Sequence, residues 1–424
     1  MRAILYGVGG MGITVASYGF MQWAQYLYSP PEQSGWAPIL SVTLFGYATL
    51  WGRVVDALSN LFLPYWSDRG LPLLGRRKGF ILLGAIICGI SAYLLFSLPR
   101  YSARLPSLST IFILAVFLLF GIYFFSFTMA TAPYLALLAE ITSQTRERTQ
   151  YALTYALFTF LGVLFAFSAG GNLVEKKSFQ ALGIIFALAT ALPLIITALG
   201  IGEPERHYPL TSPLFSSLKK SFSASHFQIF VLTAVLSWGG LTIFLSLLPY
   251  MTKLWWNLSE AQLQWYGLAI VASAVVTLPV NYFLVRRLGK KNVYARGLLF
   301  LSVLCFVLSL LRFVPKEFFY PASFLIFALL GFTVGIMVGI PNAILADFAE
   351  KTAVEGEGKP AMLFGLNGIC VKIGQGASIL LSTIILKTFG FSSEHTLGLT
   401  LSHYLGTVLF LLAYVNFLRY PERG

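Results

Sequence analysis

Residues 50–80 read LWGRVVDALSNLFLPYWSDRGLPLLGRRKGF, and this stretch decides how the rest of the chain is read. It begins inside a long apolar run yet carries Arg53, Asp56 and Asn60, then ends in a turn holding Asp68, Arg69, Arg76, Arg77 and Lys78. Ionisable groups at bilayer depth cost roughly 2.5 to 3.5 kcal/mol each on insertion scales, so they persist where they line a cavity or pair with one another. A charged cluster in an apolar helix, followed by a charged turn, therefore points to a membrane segment with a functional face.

Composition supports the membrane reading. The 424 residues are 57% hydrophobic and 16% aromatic with only 11% charged, and the mean hydropathy is +0.77. A soluble domain carries about 25% charged residues. The formal charge of +13 is spread over short loops between apolar runs and forms no basic face, so no nucleic-acid partner is expected. Cys88, Cys305 and Cys370 lie within apolar runs without CxxC spacing, which supports neither a zinc site nor a disulfide framework. The N-terminal MRAILYGVGGMG lacks a small-residue cleavage site before the apolar run continues, so it reads as a retained first helix.

A spanning helix needs about 20 mostly apolar residues. Twelve runs qualify: 6–28, 37–66, 79–98, 107–140, 150–171, 180–202, 226–251, 262–286, 296–314, 320–347, 360–388 and 398–419. An all-α membrane protein of two six-helix pseudo-repeats follows. Of the 29 Lys and Arg residues, nineteen fall in loops on the side shared by both termini and eight on the other, and Arg53 and Lys372 lie inside spans. That bias predicts cytoplasmic termini. Residues 203–225, within the Pro- and Ser-bearing stretch IGEPERHYPLTSPLFSSLKKSFSASH (201–226), read as a cytoplasmic linker between an N-terminal half, 1–202, and a C-terminal half, 226–424.

The halves repeat. TAPYLALLAE (131–140) matches GIPNAILADF (339–348) as Pro, a small apolar run, then Leu-Ala-acid with one gap; GRRK (75–78) matches GKKN (289–292). The offsets, 207 from Glu140 to Asp347 and 214 from Gly75 to Gly289, are nearly equal. A parallel duplication puts a substrate site at the interface of the halves near the bilayer midplane.

Within that frame several side chains are candidates. Arg53, Asp56 and Asn60 share one helical face. Two readings stay open: a self-neutralising Arg53–Asp56 pair, or a face that lines a cavity. Lys372, deep in FGLNGICVKIGQGAS (364–378), needs a carboxylate, and Asp56 is the one deep acid the spans offer. The alternative is a hydrated lysine solvated by carbonyls and by Asn367 or Gln375. Asp68, Glu140 and Asp347 fall at cytoplasmic helix ends beside basic loops, where ion pairs can latch one state of a rocking protein or be ordinary interfacial charges. Tyr26, with Trp23, Tyr123, Phe127, Tyr155 and Trp238, can stack on a sugar ring or belong to packing and the interfacial belt. The four histidines are scattered, and HExxH, a serine nucleophile elbow and a nucleotide-binding domain are all absent, so no enzyme and no cofactor are expected.

At these residues the chain resembles the major facilitator superfamily, and within it the glycoside-pentoside-hexuronide:cation symporter family of melibiose permease. The stretches that carry the resemblance are RVVDALSNLFLPYWSDRGLPLLGRRKGF (53–80), APYLALLAEITSQTRERT (132–149), and IPNAILADFAE (340–350) followed by VKIGQG (371–376). The resemblance implies alternating-access transport of a small organic solute, sugar- or glycoside-like, coupled to H+ or Na+, by a functional monomer in a plasma or bacterial inner membrane. It makes Asp56 a substrate or cation ligand, Lys372 its coupling partner, and Asp68, Arg69, Arg76 and Arg77 a cytoplasmic gate. Arg53, Asn60, Tyr26 and Thr131 complete the candidate binding set, and Glu140 and Asp347 the gate. Three departures stand out: Asn60 where a second membrane carboxylate is expected, Gly12 where an acid can stand in the first helix, and Thr131 with Leu135 where an acid and an aromatic lie near the sugar. A hard cation wants several oxygen ligands and more than one negative charge, so a single acid favours H+ or uncoupled transport over Na+. An amphipathic lipid-like solute such as a lysolipid, or a non-transporting sensor on the same fold, remains an alternative.

Overall fold

Every backbone N–H and C=O inside a bilayer must bond within the protein, which leaves an apolar run of this length the α-helix as its form. The computed structural model describes residues 1–69, 77–101, 110–141, 145–202, 225–354 and 360–421, and among these residues it contains helices and no strand. In chain order they are α1 (Arg2–Gly19), which runs through a π turn (Phe20–Ala24) into α2 (Gln25–Tyr28), then α3 (Val42–Arg69), α4 (Arg77–Ser97), α5 (Thr110–Ile141), α6 (Thr145–Glu175) and α7 (Phe179–Gly200). Then follow α8 (Ser225–Leu254), α9 (Leu263–Leu310), α10 (Lys316–Val354), α11 (Pro360–Phe389) and α12 (Leu397–Leu418).

Ten helical stretches among the described residues are long and apolar enough to cross a membrane. Helix α3 is not one of them, because Arg53 and Asp56 sit in its middle. The expected spans 262–286 and 296–314 both fall within α9, which is broken into two helical lengths at Gly289, whose φ of 79° and ψ of 154° are non-helical. A positive φ is strained for any residue with a Cβ, so glycine at the start of GKKN allows the chain to turn there.

The chain forms two compact units. Unit 1 comprises Met1–Leu210, Leu245–Lys253 and Asn257–Gln264; unit 2 comprises Thr211–Phe244, Leu254–Trp256 and Trp265–Gly424. In unit 1, α1 packs on α6 and α7, α4 on α5 and α7, and α3 on α5. A Cβ on Gly7 would lie 2.8 Å from the Thr154 backbone, and one on Gly162 would lie 2.9 Å from the Met11 carbonyl. The α1–α6 crossing is thus built on small residues that let two backbones approach, as membrane helices require in the absence of a hydrophobic drive between them. In unit 2, α11 packs on α10 and α12.

Candidate functional site

Helix α3 presents its polar residues at i, i+3 and i+7, one face of a 3.6-residue repeat. Arg53 Nη1 lies 3.4 Å from Asp56 Oδ2, with Arg53 4% and Asp56 0% exposed. The guanidinium also sits 4.6 Å from the centre of the Phe124 ring on α5, a cation–π contact that compensates part of its desolvation. From the same α5 the Thr128 hydroxyl donates to Asp56 Oδ1. Asn60 donates its amide to the Asp56 backbone carbonyl at 3.0 Å. The structure thus brings Arg53, Asp56 and Asn60 together and adds Thr128, a residue that gives no sequence signal in an apolar helix without its partner.

The other candidates are distributed. Thr131 is buried, and its hydroxyl donates to its own helix at the Phe127 carbonyl. Lys372 is half-buried on α11 in unit 2, and Asp56 lies in unit 1. Tyr26 is fully buried on α2; its hydroxyl donates to Glu260 Oε1 at 2.6 Å, and its ring meets Trp36 and Tyr250 edge-on at 5.6 and 5.1 Å.

Of the gate residues, Arg76 lies outside the described residues, as do the side chains of Asp68, Arg69 and Glu140. Arg77 opens α4 and donates to Ser67 Oγ at 2.5 Å, tying the start of α4 to the end of α3. In unit 2, Lys290 Nζ lies 2.6 Å from Asp347 Oδ2, so the basic turn of the second repeat pairs with the acid of its own repeat. Lys290, Lys291, Asn292, Asp347 and Tyr420 line a crevice of about 320 Å³. Burial pushes the Tyr420 phenol up, and Asp347 adds to the rise.

A second buried acid lies outside the spans, on the turn after α8, where the sequence reading sought no site residue. Glu260 is 3% exposed, and its second oxygen lies 3.5 Å from Lys253 Nζ. A capping box between Ser259 and Gln262 fixes the short turn that carries it. The same segment is held to the C-terminal end of α6, where Glu175 accepts from the Ala261 N–H at 3.0 Å and Asn172 donates to Gln264 at 3.0 Å.

The π turn adds a further polar feature. Gln22 and Gln25 are 0% and 1% exposed, and among the described residues neither amide forms a full hydrogen bond, the Gln25 amide lying beside the Tyr250 hydroxyl. A buried polar group left unpaired costs about 1–3 kcal/mol. Turns of this type occur frequently at functional sites.

The MFS/sugar transport protein family matches the chain over residues 5–422. An isoprimeverose transporter of Lactiplantibacillus pentosus is 21% identical over 376 residues, covering 84% of this chain and 74% of that protein. A staphyloferrin B transporter of Staphylococcus aureus is 30% identical over 181 residues, covering 42% of this chain and 40% of that protein. Among solved structures, the nucleoside transporter NupG superposes with a TM-score of 0.69 at 14% identity, covering 99% of both chains, a likeness of fold.

Proposed function

We propose, from the premise that this chain belongs to the MFS/sugar transport protein family, that it moves a sugar or glycoside across the membrane by alternating access. The family is one of transporters and not of enzymes, and the chain is an integral multi-pass membrane protein, a secondary transporter of small solutes. The finer reading is of twelve spans in two six-helix halves with both termini cytoplasmic, working as a monomer. The bend at Gly289, which divides α9 into two lengths, supports that number.

The observation that carries the mechanism is the buried Arg53–Asp56–Thr128 cluster. Asp56 alternates between these partners and Lys372, substrate or proton, since a state change needs contacts that differ between the two states. With Arg53 balancing the single acid, the cluster has no surplus negative charge for a hard cation, which favours H+ over Na+ as coupling ion. The isoprimeverose transporter among the relatives supports a sugar as solute.

Flux into liposomes carrying the purified protein tests this reading. Isoprimeverose is expected to enter with a rate that depends on pH and not on Na+, and Asp56→Asn and Lys372→Ala are each expected to abolish that entry. Flux that survives both substitutions with unchanged pH dependence rules the mechanism out, and flux of staphyloferrin B without sugar flux rules out the solute class.

A further inference from the structure

We propose that Gln22, Gln25 and Tyr26 form a hydrogen-bonding subsite for a neutral, hydroxyl-rich solute, covered by the segment that carries Glu260; the inference rests on the transport reading above and names where such a solute is held. Both glutamines are enclosed, and among the described residues their amides form no full hydrogen bond, the Gln25 amide lying beside the Tyr250 hydroxyl. Gln22 lies inside the π turn and Gln25 just past it, three residues on, and Tyr26 follows Gln22 by four, so the side chains emerge on neighbouring positions of one face. Tyr26 identifies what covers that face. Its hydroxyl reaches Glu260, its ring meets Tyr250, and the Tyr250 hydroxyl lies 3.0 Å from the Gln25 carbonyl and 2.6 Å from that of Ser29.

The chemistry selects the ligand. Each glutamine amide offers two donors and one acceptor oxygen, and a sugar hydroxyl is donor and acceptor at once. Two amides beside a tyrosine can therefore match adjacent hydroxyls on one ring. An anionic solute finds no unbalanced cation here, because Lys253 already faces Glu260. An apolar solute would leave the amides as unpaired as they are now. Their burial shuts water away from the amides, and so sharpens their demand for a partner.

The test uses the purified full chain with D-xylose, D-glucose and isoprimeverose as probes, comparing wild type with Gln22→Leu and Gln25→Leu. Leucine keeps most of the volume and removes the polar demand. Each variant is expected to melt at a higher temperature than wild type without ligand, and to bind the sugar that wild type binds about tenfold more weakly. A lower ligand-free melting temperature means that the fold itself satisfies the amides, and overturns the subsite. Sugar binding unchanged in both variants overturns the subsite alone, whereas wild type that binds none of the three sugars overturns the sugar reading and the subsite with it.

Discussion

At the residue scale, the Arg53–Asp56 pair is a buried ion pair whose members are each 4% exposed or less. Removing one partner of such a pair leaves an uncompensated charge and costs about 3–5 kcal/mol, while removing both is far less harmful. Asp56→Asn is therefore expected to lower the melting temperature sharply, and adding Arg53→Gln to restore much of the loss. A double variant whose loss equals the sum of the two single losses would show that the charges do not compensate each other. The pair is legible in the sequence because two charges three apart in an apolar run can meet on one helix. Thr128 and Glu260 are not, since their roles depend on which helix or loop is brought alongside.

At the element scale, hydropathy locates helices well and their ends poorly. It predicts the second span at 37–66, whereas the helix forms over Val42–Arg69, since the polar loop before it and the charged turn after it set the ends, not the apolar content. The π turn at Phe20–Ala24 has no signature, because an apolar run reads the same whether its carbonyls bond four or five residues on. Glycine-rich YGVGGMG reads as close packing, and Gly7 lies against the Thr154 backbone. Gly162→Ala, which would set a Cβ 2.9 Å from the Met11 carbonyl, is expected to destabilise the protein by about 1–3 kcal/mol through overpacking. Gly339→Ala, with no described residue within 4 Å of the added Cβ, is the neutral control. Equal melting temperatures for the two variants would remove the α1–α6 crossing from the tight contacts of the fold.

At the scale of the whole molecule, the motifs of residues 53–80 point to the family while leaving the orientation to a charge count. The nineteen-to-eight division of loop cations predicts that the termini face the cytoplasm. Four exposed residues turn that division into a measurement: Arg2 and Arg419 near the termini, and Glu32 and Glu394 in loops assigned to the opposite side. Cys88 and Cys305 are buried and Cys370 is half-buried, so replacing Cys370 by serine leaves a quiet background. A membrane-impermeant maleimide applied to intact cells is expected to label Glu32→Cys and Glu394→Cys at once, and Arg2→Cys and Arg419→Cys only after the membrane is opened. The reverse pattern would invert the protein and put the Lys290–Asp347 pair on the outer face. Labelling of Arg2→Cys and Arg419→Cys from opposite sides would require an odd number of spans, and the two-fold repeat with its matched GRRK and GKKN turns would then have to be abandoned.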